Sequence, residues 1–172
     1  SRSKRLDGCA MIRVAATEVT HWHSLHDSAY LRHLRAIPDV ELVGVQDPDL
    51  AIARQRAAQL GQPPVFADIS TMLDESRPDF VVALGRHSRM AEIAHLLMDR
   101  GLPFLMEKPM GRSADEVASI AARALATRHF IAVPLSQRYL PAVARVRELL
   151  AEGRLGPLSH FYFRLNRPTS AR

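Results

Sequence analysis

A short apolar run ends in Met106-Glu107-Lys108-Pro109, which sets a carboxylate and an ammonium side by side at the end of a would-be strand. Burial makes an ammonium release its proton more readily, and an adjacent acid holds or counters its charge. A lysine so placed can polarise a carbonyl or assist proton movement from an alcohol. Pro109 restricts the backbone that follows and admits a cis bond. An exposed ion pair ahead of a helix would use the same residues, and the triplet by itself leaves both readings open. Composition singles the lysine out: of 23 cationic side chains, 21 are arginines, and the lysines are Lys4 and Lys108.

Three further stretches carry groups suited to a nucleotide. Gln46-Asp47-Pro48-Asp49 closes an apolar run roughly 20–30 residues beyond the first turn, where an acid takes the ribose hydroxyls of an NAD-type cofactor. Asp-Pro-Asp is equally an ordinary turn and helix start. With an acid there and no basic neighbour beside it, NAD is favoured over NADP, although Arg54 and Arg56 lie further on. In Leu84-Gly85-Arg86-His87-Ser88-Arg89, Gly85 permits close approach of a ligand, and Arg86 or His87 can meet a phosphate or ribose. A plain solvated loop before a helix reads the same way.

The first turn, Ala16-Thr17-Glu18-Val19-Thr20-His21-Trp22-His23, contains no glycine, although a dinucleotide fold normally places G-x-G-x-x-G there. The following helix would still offer free N–H groups. Thr17, His21, Trp22 and His23 are therefore candidates to line a diphosphate, imidazole N–H groups donating and the indole packing beside a ribose. Solvated histidines with Trp22 as a core anchor are the alternative. Glu18 would repel phosphate unless its side chain points away. His21, His23 and His26 also spell H-W-H-x-x-H, but no cysteine lies nearby and Asp27 is the remaining ligand candidate, so no metal is expected. There is no G-x-S-x-G elbow and no Walker pattern, which leaves hydrolase and P-loop chemistry without support.

The elements that must position these groups alternate along the chain. Apolar runs at residues 11–16, 40–45, 65–66, 79–84, 103–106 and 130–133 read as strands. Helical patterns fall between them: Leu25 to Ile37 stopping near Pro38, 50–60, 69–75 capped by Asp68 or Ser70, 90–100, and a helix from Ser113 to about Thr127 with a Ser113/Glu116 capping box. A helix over 140–152 and an alternating strand over 158–165 follow. Non-alternating strands separated by helices predict an α/β, doubly wound parallel sheet covered on both faces.

The chain has 172 residues, 47% hydrophobic and 24% charged, which suits an ordinary globular chain and excludes collagenous or disordered classes. No apolar stretch is long enough for a membrane span, and residues 1–10 lack the apolar core of a secretory signal, so they read as a tail. Cys9 alone forms no internal disulfide and fits a reducing, cytoplasmic setting. The net charge of +5 resides at the ends: residues 1–10 carry +2, the last thirteen carry +3, and 11–159 is neutral. Without a concentrated basic footprint, no nucleic-acid partner is expected.

In this order of elements, Asp47-Pro48-Asp49 and then Phe104-Leu105-Met106-Glu107-Lys108-Pro109 resemble the Gfo/Idh/MocA family of NAD(P)-dependent oxidoreductases. Gln137-Arg138-Tyr139 with Pro141, then Glu152-Gly153-Arg154-Leu155-Gly156-Pro157-Leu158, is similar to that family's passage into its second domain. The resemblance implies a Rossmann domain over 11–135 binding NAD or NADP, with 136–172 as a linking helix and the first strand of a C-terminal substrate domain. It matches Lys108 to the lysine beside nicotinamide and substrate, and Asp47 to the ribose acid. Leu84, Gly85, Glu107 and Pro109 fall at its cofactor-contacting places. It implies hydride transfer on a secondary alcohol or ketone of a sugar, inositol or related polyol, and assembly of copies through the C-terminal domain. The chain departs from it in two places: the glycine-rich loop is replaced by residues 17–23, and the Thr-Pro-Asn type turn by residues 84–87. The family's Asp and His of the second domain have no counterpart here, so this chain is expected to be the cofactor-binding part. The glycine-free loop keeps a rival reading open, a non-catalytic Rossmann module without productive dinucleotide binding.

Overall fold

Six apolar runs form strands, with two-residue strands at the two edges of the sheet. In the computed structural model, which describes residues 11–26, 29–162 and 164, these are β1 (Ile12–Thr17), β2 (Val40–Gln46), β3 (Val65–Phe66), β4 (Phe80–Ala83), β5 (Phe104–Met106) and β6 (Ile131–Ala132). They pair in parallel in the order β3-β2-β1-β4-β5-β6. Both faces are apolar because successive side chains of one strand enter opposite cores. Val14, Ala16, Val45, Val82 and Leu84 pack on one side with Leu31, Ala53 and Leu60. Ala15, Val81, Ala83, Phe104 and Met106 pack on the other with Met72, Ile93, Leu97 and Ile120. This two-sided burial is the reason the strands read as continuous apolar runs.

The connecting helices are α1 (Tyr30–Arg35), α2 (Leu50–Ala58), α3 (Ile69–Ser76), α4 (Met90–Asp99) and α5 (Ala114–Thr127). Three start on side-chain caps that satisfy otherwise orphaned N–H groups. Asp49 accepts from Ala51 and Ile52, Asp68 from Thr71, and Ser113 from Glu116. The return half of the expected capping box goes elsewhere, since Glu116 accepts the Arg112 N–H at 2.7 Å.

Two expected elements differ. The first helix begins at Tyr30 and not at Leu25, because His21 caps a separate one-turn 3-10 helix at Trp22–Ser24; Leu25 and Leu31 still enter the same core. The expected strand at 158–165 is not formed over 158–162 or at 164, all of which are exposed and pair with no strand among the described residues. A strand without a neighbour leaves its backbone groups to water. The tail at 1–10, Asp27, and residues 163 and 165–172 lie outside the described residues.

The chain divides into two compact units, one running to Pro134 and one starting at Leu135. The second contains a 3-10 turn at Ser136–Tyr139 and α6 (Pro141–Ala151), whose Pro141 occupies a first-turn position where a missing N–H costs nothing. Among the described residues no helix is long and apolar enough to cross a membrane.

Candidate functional site

Strand order reverses direction between β1 and β4, so the loops leaving their carboxyl ends part and open a crevice. Glu18 is the first residue after β1 and has φ of 48°, a left-handed conformation that usually falls to glycine and costs other residues about 1 kcal/mol. Gln46 holds it there: Gln46 Oε1 accepts the Glu18 N–H at 3.1 Å, and Gln46 Nε2 donates to the Ala67 carbonyl at 2.8 Å. The Glu18 carboxylate is 2% exposed and turns toward the β4 loop. It accepts the Arg86 backbone N–H at 2.5 Å and the Arg89 guanidinium at 2.7 Å. Glu18, Thr20, His21, Gly85, Arg86 and His87 line a pocket of about 250 Å³. Gly85 lets the β4 loop close on this pocket: its φ is 43°, and a Cβ there would lie 2.5 Å from Met90 Sδ.

Asp47, just past β2, is fully buried. Its Oδ2 accepts the Thr20 N–H at 2.8 Å and the Thr20 hydroxyl, and its Oδ1 accepts the Asp49 N–H at 3.0 Å. Three donors of the protein itself thus converge on the acid that the family resemblance matched to a ribose.

At the end of β5, Glu107 is 1% exposed while Lys108 reaches solvent with 58% of its side chain exposed. One carboxylate oxygen, Glu107 Oε1, lies 3.4 Å from His23 Nδ1 and 3.9 Å from Lys108 Nζ. The Lys108–Pro109 bond is cis. His21 Nδ1 accepts the His23 N–H at 3.2 Å, and the two rings meet edge to face with centroids 5.1 Å apart. Burial holds the His21 imidazole below its ordinary proton affinity; Glu107 opposes this, and His23, His87 and Lys108 reinforce it. His21 therefore stays a neutral donor–acceptor beside the pocket.

A family model described as an oxidoreductase family with an NAD-binding Rossmann fold matches residues 11–133. The chain belongs to the Gfo/Idh/MocA oxidoreductase family. Within it, the chain is 32% identical over 138 residues to trans-1,2-dihydrobenzene-1,2-diol dehydrogenase of Bos taurus, covering 78% of this chain and 41% of that protein. It is 30% identical over 123 residues to inositol 2-dehydrogenase 4 of Saccharopolyspora erythraea, covering 71% and 36%. An oxidoreductase from Agrobacterium radiobacter, solved with NAD+, L-tartaric acid and magnesium, superposes with a TM-score of 0.77 at 13% identity, covering 86% of this chain and 42% of that one. The last likeness speaks for the fold alone. The chain spans about two-fifths of the length of these relatives.

Against this family background, the candidate residues fall into three groups. His21, Gly85, Arg86 and His87 share the pocket wall. Glu107, Lys108 and His23 form a cluster whose electrostatic reach includes His21. Thr17, Leu84 and Asp47 are fully buried behind this surface. Trp22 is half exposed and stacks on His26 with centroids 4.1 Å apart, so it is not a core anchor. No three His, Cys, Asp or Glu side chains converge as metal ligands among the described residues. Spacing gave no notice of Thr20, Gln46 and Arg89. The available signal was indirect: an acid where a glycine was due implies a partner for its charge.

Proposed function

We propose that the chain binds a nicotinamide dinucleotide, NAD in preference to NADP, along the carboxyl edge of the sheet, and that it serves hydride transfer on a secondary alcohol or ketone of a sugar, inositol or related polyol. The observation that supports this most directly is Lys108, an exposed ammonium 3.9 Å from the buried Glu107 carboxylate at the end of β5. The names of two relatives, a dihydrodiol dehydrogenase and an inositol dehydrogenase, support the substrate class.

The residues present suit such a cofactor. The pocket between the β1 and β4 loops offers the N–H donors of His21 and His87 and the cation of Arg86 to anionic oxygens. Neither oxygen of the buried Glu107 accepts a hydrogen bond among the described residues, leaving acceptor capacity at this edge. Asp47 and Asp49 place two acids at the β2 end, which disfavours an added ribose phosphate. The nicotinamide, when bound, supplies the hydride acceptor or donor. Lys108 hydrogen-bonds the reacting oxygen, stabilising negative charge on it and assisting its proton. The Glu107 carboxylate lies between the ammonium and His23, 3.9 Å from the one and 3.4 Å from the other, and its charge favours the protonated lysine.

Fluorescence titration with NADH and NADPH tests the reading. Saturable micromolar binding, tighter for NADH, is expected, and Lys108→Met should retain it, since the lysine is assigned to the reacting oxygen and not to the nucleotide. Absence of saturation by either nucleotide would overturn the proposal. That outcome would favour the second reading, a Rossmann module without dinucleotide binding, for which the carboxylate of Glu18 in the pocket wall speaks.

A further inference from the structure

Glu18 poses an electrostatic problem that the proposed function leaves open. A dinucleotide brings a diphosphate to the turn after β1, and glycine suits that turn partly because it adds no charge. Here a carboxylate lines the same pocket. It cannot turn out to solvent, being 2% exposed and tied to the Arg86 N–H. Left alone, a buried carboxylate beside a phosphate would repel it strongly, because a partly dry crevice screens charge poorly.

Arg89 meets the charge. It stands just ahead of α4, does not line the pocket, and places Nη1 2.7 Å from Glu18 Oε1. Its other amino group lies 3.2 Å from Glu92, whose side chain is 67% exposed and therefore largely neutralised by solvent screening. Arg86 on the pocket wall adds a second cation on the same side.

We propose that Arg89 makes this crevice acceptable to a dinucleotide by neutralising Glu18 from behind, so that a Glu18–Arg89 pair takes the place of uncharged glycines. Arg89 is thus a positioning residue that acts on the cofactor through Glu18 and not by touching phosphate. The inference rests on the dinucleotide reading above.

The test is a double-mutant cycle on the intact chain, read as NADH affinity by fluorescence, with circular dichroism confirming the fold of each variant. Arg89→Met should weaken NADH about tenfold or more, the effect of one uncompensated like charge. Glu18→Gln should bind at least as tightly as the wild type, because its amide oxygen keeps the Arg86 N–H while the part-exposed Arg89 retains Glu92 and solvent. The double variant Glu18→Gln/Arg89→Met should recover to within about threefold, since no lone charge remains, and Arg89→Lys should hold wild-type affinity within the same range. If Arg89→Met does not fold, Arg89→Gln takes its place in both the single and the double variant. Unchanged affinity in a folded Arg89→Met overturns the proposal. A double variant weakened about tenfold also overturns it, because Arg89 would then be a direct phosphate ligand. No NADH binding by the wild type itself overturns the dinucleotide reading and this inference together.

Discussion

Replacing Asp47 by asparagine keeps the shape of the side chain and removes an acceptor, so its consequence can be worked from three contacts. The carboxylate is fully buried and receives the Thr20 N–H at 2.8 Å, the Thr20 hydroxyl, and the Asp49 N–H at 3.0 Å. Asparagine offers one carbonyl oxygen. Turned toward Thr20, it sets its amide nitrogen against the Asp49 N–H; turned the other way, it sets it against the Thr20 N–H. Either choice strands one buried donor, at about 1–3 kcal/mol, and weakens the remaining bonds by loss of charge. Asp47→Asn should therefore cost about 3 kcal/mol, and Thr20→Val, which removes one hydroxyl donor, about 1 kcal/mol. Guanidinium chloride unfolding with unchanged slope measures both. The loop carrying Thr20 and His21 lines the pocket, so NADH affinity should fall with Asp47→Asn as well. A loss below about 0.5 kcal/mol for Asp47→Asn, or equal losses for the two variants, would refute the claim that this acid is committed to the loop.

Two other perturbations probe the crevice. Gly85→Ala forces a Cβ to 2.5 Å from the sulfur of the fully buried Met90 at a φ of 43°, so about 2–4 kcal/mol of stability should disappear in a thermal or denaturant melt; near-wild-type stability would mean that Met90 yields freely. His21→Asn keeps a side-chain acceptor for the His23 N–H and removes a titrating group. Because burial depresses the proton affinity of folded His21, the unfolded chain takes the proton first: stability falls as pH drops below the ordinary value of about 6.5 and towards the lowered one. The stability difference between wild type and variant should thus turn against the wild type between pH 7.5 and 5.5, and a difference independent of pH would sink that account.

The fold could be read from the chain wherever local pattern and tertiary demand agree. Val81-Val82-Ala83-Leu84 faces apolar cores on both sides, so an uninterrupted apolar run and a central strand are the same fact. Asp49, Asp68 and Ser113 cap helices because short polar side chains at those positions satisfy free N–H groups, a local matter again. The start of α1 was not legible, because the intervening turn is set by His21 accepting from His23 and by Ala29 at φ of 43°, neither of which has a periodic signature. At the site, Glu107 and Lys108 were visible from their place at a strand end. The partners of Glu18 and Asp47 were not, since Arg89 and Thr20 come from other loops and meet them only through the sheet.

Those partnerships share one logic. Acids stand at the carboxyl ends of β1, β2 and β5, where a parallel sheet presents its crevice, and an array of bare carboxylates would exclude any anionic ligand. Two are matched by hydrogen bonds within the protein, Glu18 by the Arg86 N–H and Arg89 and Asp47 by Thr20 and the Asp49 N–H, and Glu107 has the Lys108 ammonium 3.9 Å away. In every case the carboxylate is buried and a hydrogen-bond donor lies nearer the surface: Lys108 is 58% exposed, and Arg86 and His87 are exposed as well. The acids consequently act as internal counter-charges, and on the reading proposed above a diphosphate would meet the donors of His21, Arg86 and His87 beside a Glu18 already paired within the protein. A glycine-free turn is compatible with the proposed cofactor because paired side chains, and not an open backbone, would then accommodate the anion.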